Sequence, residues 1–370
     1  MRIAIAGCRG IPGRYGGFET LAEQLSVRLA AKGHGVVVYC RARYGDADSH
    51  APAGVKRVFL PALYTKHLET LSHTFLCTFH QMLYPSQVML LLNNANAIFI
   101  PFLKIRGVKV FVHVDGLEWQ RQKWGWMAKA WHHFSERLAV RWADGLISDS
   151  RFIQAYYEKT HGRRPGYAAY GSFLDALPGA ENLQKFGLTA GNYFLFVGRL
   201  EPENHPDLVI EAYARFLQPQ KEAGGRPPLI VVGWAPYARA YVRDLHRRGQ
   251  AAGVRFLGPV YGEDYKALLH HCRAFVHASS VGGTHPVIVE AMGAGRPILL
   301  SDIPENRETA GETALFFNLN PEELAQKMDW LFHNGPAAEK SGSAARARAQ
   351  ELFQWDAVAQ RYETFLAGGE

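Results

Sequence analysis

Short apolar runs of strand-forming residues alternate with longer segments of helical period along nearly the whole 370-residue chain, in two successive sets. Such alternation marks β-α units stacked around parallel sheets, because two parallel strands need a crossover that a helix supplies. The first set predicts strands at 2–6, 36–39, 55–60, 88–92, 108–114 and 145–148, and the second at 193–197, 229–232, 254–257, 274–277, 297–300 and 314–317. Between the first two strands lies a helix with Phe18, Leu21, Ala22, Leu25 and Leu29 on one face, closed by Gly33 where a left-handed C-cap would sit. The expected fold is α/β, with two doubly wound parallel-sheet domains. The turn-rich stretch from Tyr170 to Gly191 marks the boundary, which gives domains 1–175 and 176–350 and a closing segment 351–370.

A hydrophobic content of 48% with 20% charged residues excludes a disordered or collagen-like chain. Cys8, Cys40, Cys77 and Cys272 lie far apart with no C-x-x-C pair, which argues for a reducing compartment and against a disulfide framework or a cysteine-held zinc. The net charge of +7 suits an anionic nucleotide or an acidic lipid surface without announcing nucleic acid. Residues Met1 to Gly7 read as a first buried strand of a cytoplasmic protein and not as a secretory signal. Thr70 to Leu103 contains no Lys, Arg, Asp or Glu, but Pro85-Ser86-Gln87 and Asn93-Asn94 interrupt it before any run reaches the roughly 18 to 20 residues of a membrane span. It reads as a core helix, a buried strand and a polar loop.

Ligands of open parallel sheets bind beyond the carboxyl ends of the strands, so the loops there carry the candidates. The first runs from Gly7 through Gly16-Gly17 into a helix N-terminus, where N–H groups and the helix dipole favour an anion. It matches neither G-x-G-x-x-G nor G-x-x-x-x-G-K-[ST], which removes the best argument for a nicotinamide cofactor or a P-loop. The fifth strand ends in His113-Val114-Asp115-Gly116, where a core histidine competes with a ligand-facing one. The adjacent pairs His132-His133 and His270-His271 point about 100° apart on helices and suit no metal. In the second half, Phe196-Val197-Gly198-Arg199-Leu200 delivers an arginine at a strand end, fit to pair with a diphosphate. The unit Ser280 to Pro297 then joins a strand, a glycine turn, a helix start and Glu290, so that Gly283 and Thr284 N–H groups could cradle a phosphate while Glu290 accepts from sugar hydroxyls.

Taken together, the G-R-L after the first strand of the second half, the E-A-M-G-A-G-R-P block and the opening G-G-F-E-T-L-A-E-Q-L helix resemble glycosyltransferase family 4. R-G-I-P-G-R-Y-G-G-F-E-T and V-D-G-L-E-W-Q-R-Q-K-W further resemble a bacterial branch of rhamnosyltransferases of surface-polysaccharide assembly. The resemblance implies the GT-B fold, two Rossmann-like domains facing a cleft with the last helices packing back towards the first. Two positions depart from the family pattern. The first of its two glutamates falls on Gly282, and its lysine after the arginine falls nearest Asn204, so that Arg9 or Arg14 is the cation left to compensate. Asp46-Ala47-Asp48 is a literal D-x-D but follows a basic turn, and reads as a solvated loop with no metal.

By that resemblance the activity is transfer of a sugar, rhamnose in the first instance, from a dTDP- or UDP-linked donor to a glycan or lipid-linked glycan, with retention at the anomeric carbon. No cofactor or metal is implied. Arg199 and the Gly283-Thr284 backbone meet the diphosphate, and Asn204 and His285 are among the donor-binding residues. Glu290 takes the ribose or deoxyribose hydroxyls, Val260 the base, His113 and Asp115, as catalytic residues with Arg199, the donor sugar or the reacting centre, and Gly16-Gly17 a phosphate or the acceptor. A sugar-nucleotide epimerase and a non-catalytic nucleotide-sugar binding protein are the competing readings. Trp119, Trp124, Trp126 and Trp131, interleaved with basic residues from Lys104 to Arg164, predict peripheral contact with an acidic membrane at its inner face.

Overall fold

The computed structural model describes residues 1–13, 16–44, 51–114, 116–121, 124–174, 178–218 and 225–369. The chain forms two compact units, Met1–Tyr170 with Trp355–Glu370, and Gly171–Gln354.

In the first unit the strands are β1 (Arg2–Ala6), β2 (Gly35–Arg41), β3 (Val55–Leu60), β4 (Val88–Leu92), β5 (Lys109–His113), β6 (Gly145–Ser148) and β7 (Gly166–Tyr167). They form one parallel sheet in the order β3-β2-β1-β4-β5-β6-β7. The helices are α1 (Gly17–Ala31), α2 (Glu69–Leu83), α3 (Ile100–Ile105), α4 (Trp126–Trp142) and α5 (Arg151–His161). Ser150 caps α5 through its side chain, and Gly162, in the left-handed region, ends it. β4 is apolar at every position and buried throughout, as a central parallel strand covered on both faces must be.

The second unit holds β8 (Phe194–Val197), β9 (Leu229–Val232), β10 (Arg255–Gly258), β11 (Ala274–His277), β12 (Ile298–Ser301) and β13 (Leu315–Phe317). These too are all parallel, in the order β10-β9-β8-β11-β12-β13. Its helices are α6 (Pro206–Phe216), α7 (Arg239–Ala251), α8 (Gly262–His271), α9 (Pro286–Ala294), α10 (Pro304–Ala310), α11 (Pro321–His333) and α12 (Gly335–Leu352). Phe194, Phe196, Val209, Phe216, Leu229 and Val276 pack in its core.

The last helix, α13 (Trp355–Leu366), belongs to the first unit and lies on α1. Arg28 and Lys32 of α1 meet Asp356 and Glu363 at 2.7 Å each, and His34 meets the same Glu363 at 2.7 Å. Beneath these exposed pairs, which contribute little by themselves, Val358, Ala359, Tyr362 and Leu366 are buried.

In each sheet the chain starts at a middle strand, builds outward one way, and then returns to build the other way. The reversal falls between β1 and β4 in one sheet and between β8 and β11 in the other, the places where such sheets open a crevice at their carboxyl edge. Backbones approach closely along this edge, at the β1–β4 reversal and between β8 and β9. At Gly7, φ is +102° and a Cβ would lie 2.0 Å from the Leu92 carbonyl oxygen; at Gly233, φ is +142° and a Cβ would lie 1.9 Å from that of Gly198. Only glycine fits either position.

The twelve strands expected from sequence are all present with shifts of one or two residues at their ends, and the two-residue β7 is added. One reading needs correction. Helix α2, which is free of Lys, Arg, Asp and Glu after its first residue, buries only one side, through Glu69, His73, Thr74, Cys77, Thr78 and Gln81, and leaves Phe75, Phe79 and Leu83 exposed. Absence of charge had suggested a core helix; here the buried face is the polar one.

Tyr362 is fully buried, and its hydroxyl finds no hydrogen-bond partner among the described residues. Tyr362→Ala is expected to destabilise the protein by about 3–5 kcal/mol, whereas Tyr362→Phe should be neutral or slightly stabilising. Denaturant unfolding of both variants checks this, and equal losses would show that the hydroxyl is paired.

Candidate active site

The loop after β8 carries Arg199, whose guanidinium is about one-third exposed and 3.4 Å from Glu201. The loop is held from within: the Asn204 side-chain amide donates to the Arg199 carbonyl at 2.7 Å, and the Asn204 N–H donates to the Glu201 carbonyl at 3.0 Å. Asn204 is buried and shapes the turn that presents Arg199. The Ser280 N–H donates to the Glu203 carbonyl at 2.9 Å, which ties this loop to the one after β11.

That second loop is anchored by Ser279 and Ser301. The Ser279 hydroxyl donates to the Val281 carbonyl at 2.9 Å, and that of Ser301 donates to the Ser279 carbonyl at 2.5 Å. Gly283 and Thr284 are buried, and His285 is the N-cap residue of α9, with Pro286 at the first helical position. A helix start held in this way presents N–H groups and the positive end of the helix dipole.

Within α9, Glu290 is buried and accepts a hydrogen bond from the Tyr265 hydroxyl of α8. Burial pushes its carboxyl up to about 7, against the opposing pull of Tyr265 and Lys266. Glu290 lines a depression with Phe173, Pro178, Lys266, Leu269 and His270. Val260 is half-buried just beyond β10, after Gly258, whose carbonyl accepts from the Gly233 N–H at 2.9 Å.

A Cβ on Gly282 would fall 2.5 Å from Cε1 and 2.7 Å from Nε2 of His285, so the imidazole occupies the space in which any side chain at 282 would begin. The His285 ring lies 4.6 Å from that of His277, at the end of β11. His277 is buried, neither ring nitrogen has a hydrogen-bond partner among the described residues, and desolvation lowers its pKa to about 4.

In the first unit, Gly16 is the extended N-cap residue of α1, and Gly17 is its first residue. Carboxylates of α1 already serve this loop: Glu19 accepts from the Arg9 N–H at 2.7 Å, and Glu23 from the Gly13 N–H at 2.9 Å. Arg9, one of the two cations expected to compensate, is buried against Glu69 at 3.3 Å, which Arg41 also contacts at 2.5 Å. Buried charge held this way is committed to structure. His113 is fully buried, edge-on to Phe18 at 5.3 Å and stacked on Tyr362 at 6.4 Å, and burial lowers its pKa to about 3. Asp115, Arg14, Asp46 and Asp48 lie outside the described residues. No group of three His, Cys, Asp or Glu side chains among the described residues is placed to hold a metal.

The structure thus brings Arg199, Asn204, Gly283, Thr284, His285 and Glu290 onto two linked loops and one helix of the second unit. Tyr265, Lys266 and His277 join them unannounced by the sequence. Their nearness to Glu290 and His285 arises because α8 packs on α9 and β11 leads into it, contacts that no local spacing encodes.

Known proteins resemble each half of the chain. Residues 16–169 match the family described as glycosyl transferase 4-like domain, and residues 180–348 match glycosyl transferases group 1. O-antigen chain mannosyltransferase B of Escherichia coli is 33% identical over 37% of this chain and 36% of its own length. The D-rhamnosyltransferase WbpZ of Pseudomonas aeruginosa is 29% identical over 60% of this chain and 56% of its own. These matches therefore span between about a third and just over a half of each relative. Among solved structures, a sucrose-phosphate synthase from Thermosynechococcus elongatus superposes with a TM-score of 0.81 at 21% identity, over 100% of both chains. Anabaena HepE in complex with UDP-glucose does so with a TM-score of 0.78 at 18% identity, also over 100% of both.

Gly282→Ala should force the His285 ring aside and destabilise the protein by about 1 kcal/mol, at the low end of overpacking costs because a ring tip can swing. In a His285→Ala background the same change should be nearly neutral. Thermal unfolding of the four proteins of this cycle reads the coupling, and equal costs in both backgrounds would place the strain elsewhere.

Two parallel doubly wound sheets, with two adjoining family matches that cover 16–169 and 180–348, establish that this chain belongs to the glycosyltransferases of the GT-B fold.

Proposed function

We propose that this protein transfers a sugar from a nucleoside-diphosphate donor to a hydroxyl of a glycan or lipid-linked glycan, with retention of configuration and without a metal or cofactor. The observation that carries the reading is the β11–α9 unit. It sets a glycine turn, a helix N-terminus and the buried carboxyl of Glu290 at the carboxyl edge of a parallel sheet, fastened to the loop that bears Arg199.

In the reaction the bond from the anomeric carbon to the diphosphate oxygen breaks, and a bond to the acceptor oxygen forms. The acceptor proton passes to the leaving diphosphate. No protein nucleophile is required, so the protein's task is to hold the sugar and to stabilise charge on the departing group. Arg199 and the Gly283 and Thr284 N–H groups take the diphosphate, and His285 borders them. Glu290 takes the ribose hydroxyls, and Val260 lies against the base. Asn204 acts through Arg199, whose loop it shapes. In the first unit, His113 is neutral at physiological pH, which suits a hydrogen-bonding role towards the donor sugar and not proton donation. Asp115 is assigned to the same sugar, and Gly16-Gly17 to a phosphate or the acceptor.

Mannosyl- and D-rhamnosyltransferase relatives, with a fold neighbour that holds UDP-glucose, favour a hexose or 6-deoxyhexose donor on UDP or dTDP, with rhamnose the first to test. Four free, buried cysteines suit the reducing cytoplasm, where the protein would meet a lipid-linked acceptor at the inner face of the membrane.

Arg199→Ala should lower kcat by roughly 10²- to 10³-fold, as removal of a preorganised oxyanion donor does. Arg199→Lys should recover only part, because a point charge does not reproduce the guanidinium fork. Steady-state kinetics on folded variants reads this, and near-normal kcat and donor affinity in Arg199→Ala would displace the diphosphate from the assigned position.

Glu290 gives the site a pH signature. A carboxyl raised to about 7 favours the folded state while protonated, so its contribution to stability is full below the ordinary carboxylate range and is lost as pH rises through about 7. The ionised form accepts ribose hydroxyls more strongly than the neutral acid, so the Glu290 contribution to UDP affinity should rise between pH 6 and 8. Calorimetric titration should show that trend in the wild type and a flat, roughly tenfold weaker profile in Glu290→Gln, the loss expected for a hydrogen bond to a charged group. An identical pH trend in Glu290→Gln would assign the titration to another group.

A further inference from the structure

Three neighbouring helices of the first unit each expose apolar side chains that the sugar-transfer chemistry does not use. On α2, Phe75, Phe79 and Leu83 recur at four-residue spacing, each more than half exposed, with Tyr84 beyond them. On α3, Phe102 and Ile105 are exposed, and at the start of α4 so are Trp126, at 78%, and Met127. These helices are neighbours: α2 packs on α3 and on the turn Asn94–Phe99, and α4 packs on both. The Phe75 and Phe99 rings lie 6.2 Å apart. Aromatic and long aliphatic side chains gathered in this way exceed the scattered exposure normal for a soluble surface.

The charges on these helices divide by sign. Their two carboxylates, Glu69 and Glu136, are buried, while Lys104, Arg137 and Arg141 are exposed and Arg106 follows directly after α3. Asp144, just past α4, is matched by Lys104 at 3.1 Å. An apolar face whose own helices expose only positive charge complements a surface that is apolar within and anionic at its rim, which is the chemistry of an acidic bilayer.

We infer that the face formed by α2, α3 and the start of α4 docks this protein on an anionic lipid surface, with the side chains of Phe75, Phe79, Leu83, Ile105 and Trp126 entering the headgroup boundary. This rests on the proposed lipid-linked acceptor only for its purpose; the surface itself stands on exposure and charge. It replaces the surface expected from sequence. Of the four tryptophans, only Trp126 is exposed: Trp119 lies 4.5 Å from the His133 ring, the Trp124 N–H donates to Glu118 at 3.1 Å, and Trp131 is half-buried. No helix among the described residues is long and apolar enough to cross a membrane, so the contact is peripheral.

Flotation of the full chain with phosphatidylcholine vesicles, with and without phosphatidylglycerol, tests this. The wild type should bind the anionic vesicles at least tenfold more tightly than neutral ones. Phe75→Asp/Phe79→Asp should abolish flotation while leaving the unfolding temperature and the response to UDP unchanged, and Lys104→Glu/Arg106→Glu should remove the preference for anionic lipid. If the first variant fails to fold, Leu83→Asp/Tyr84→Asp takes its place. Equal flotation of wild type and variants, or none by the wild type, overturns the proposal. So does a wild-type dimer in solution that Phe75→Asp/Phe79→Asp dissociates, because the face would then join two copies of the chain. A protein that floats as described but ignores every nucleotide keeps this surface and loses the sugar-transfer reading, and the reverse result does the opposite.

Discussion

Parallel pairing is the constraint from which the rest of this structure follows. With every strand of a sheet running one way, all the carboxyl ends meet one edge, and the loops there are the ones free to vary in length and chemistry. The chain enters each sheet in the middle, so its first and fourth strands lie side by side at the reversal. In the first sheet Gly7 makes that possible, because the Leu92 carbonyl oxygen occupies the place of its side chain; in the second, Gly233 allows the same close approach between the ends of the neighbouring β8 and β9, at the Gly198 carbonyl. The Arg199 loop and the β11–α9 loop therefore become neighbours through topology, and the Ser280–Glu203 hydrogen bond fixes what topology brings together.

The resulting site in the second unit is poor in permanent charge. His277 is neutral by burial, and Glu290 is poised near neutrality. The cations close by already have partners, Arg199 with Glu201 at 3.4 Å and Lys266 with Glu263 at 2.7 Å. A partly exposed pair of the first kind contributes at most about 1 kcal/mol, so the diphosphate of the proposed donor would take Arg199 from Glu201 at small cost. In the proposed reaction, fixed N–H groups and a helix dipole would then carry much of the load, with no reorganisation as charge develops.

The strands were legible in sequence because fully buried parallel strands are short, continuous apolar runs, as Val88 to Leu92 shows. Arg199 and the Gly283–Glu290 segment were legible because they lie within a few residues of a strand end. Tyr265 and His277 were not, since their relation to Glu290 and His285 depends on packing between separate β-α units. Arg9 was misread for the same reason: its loop position suggested a ligand, but Glu69, sixty residues on, holds it. The polar face of α2 is inward for a tertiary reason too. Gln81 reaches the Tyr39 hydroxyl at 2.8 Å, and His73 lies against Cys77, so hydrogen bonds rather than apolar contacts bury that side.

The central claim is that the carboxyl edge of the second sheet is a nucleoside-diphosphate site. Thermal unfolding with a panel of nucleotides tests it most directly, since a ligand that binds only the folded state raises stability by mass action, about 2.7 kcal/mol at a hundred times Kd. UDP, dTDP or GDP, and one of their sugar conjugates, should raise the unfolding temperature in the wild type and much less in Arg199→Ala. A response to NAD with none to any nucleoside diphosphate, or a full response in Arg199→Ala, would contradict the account.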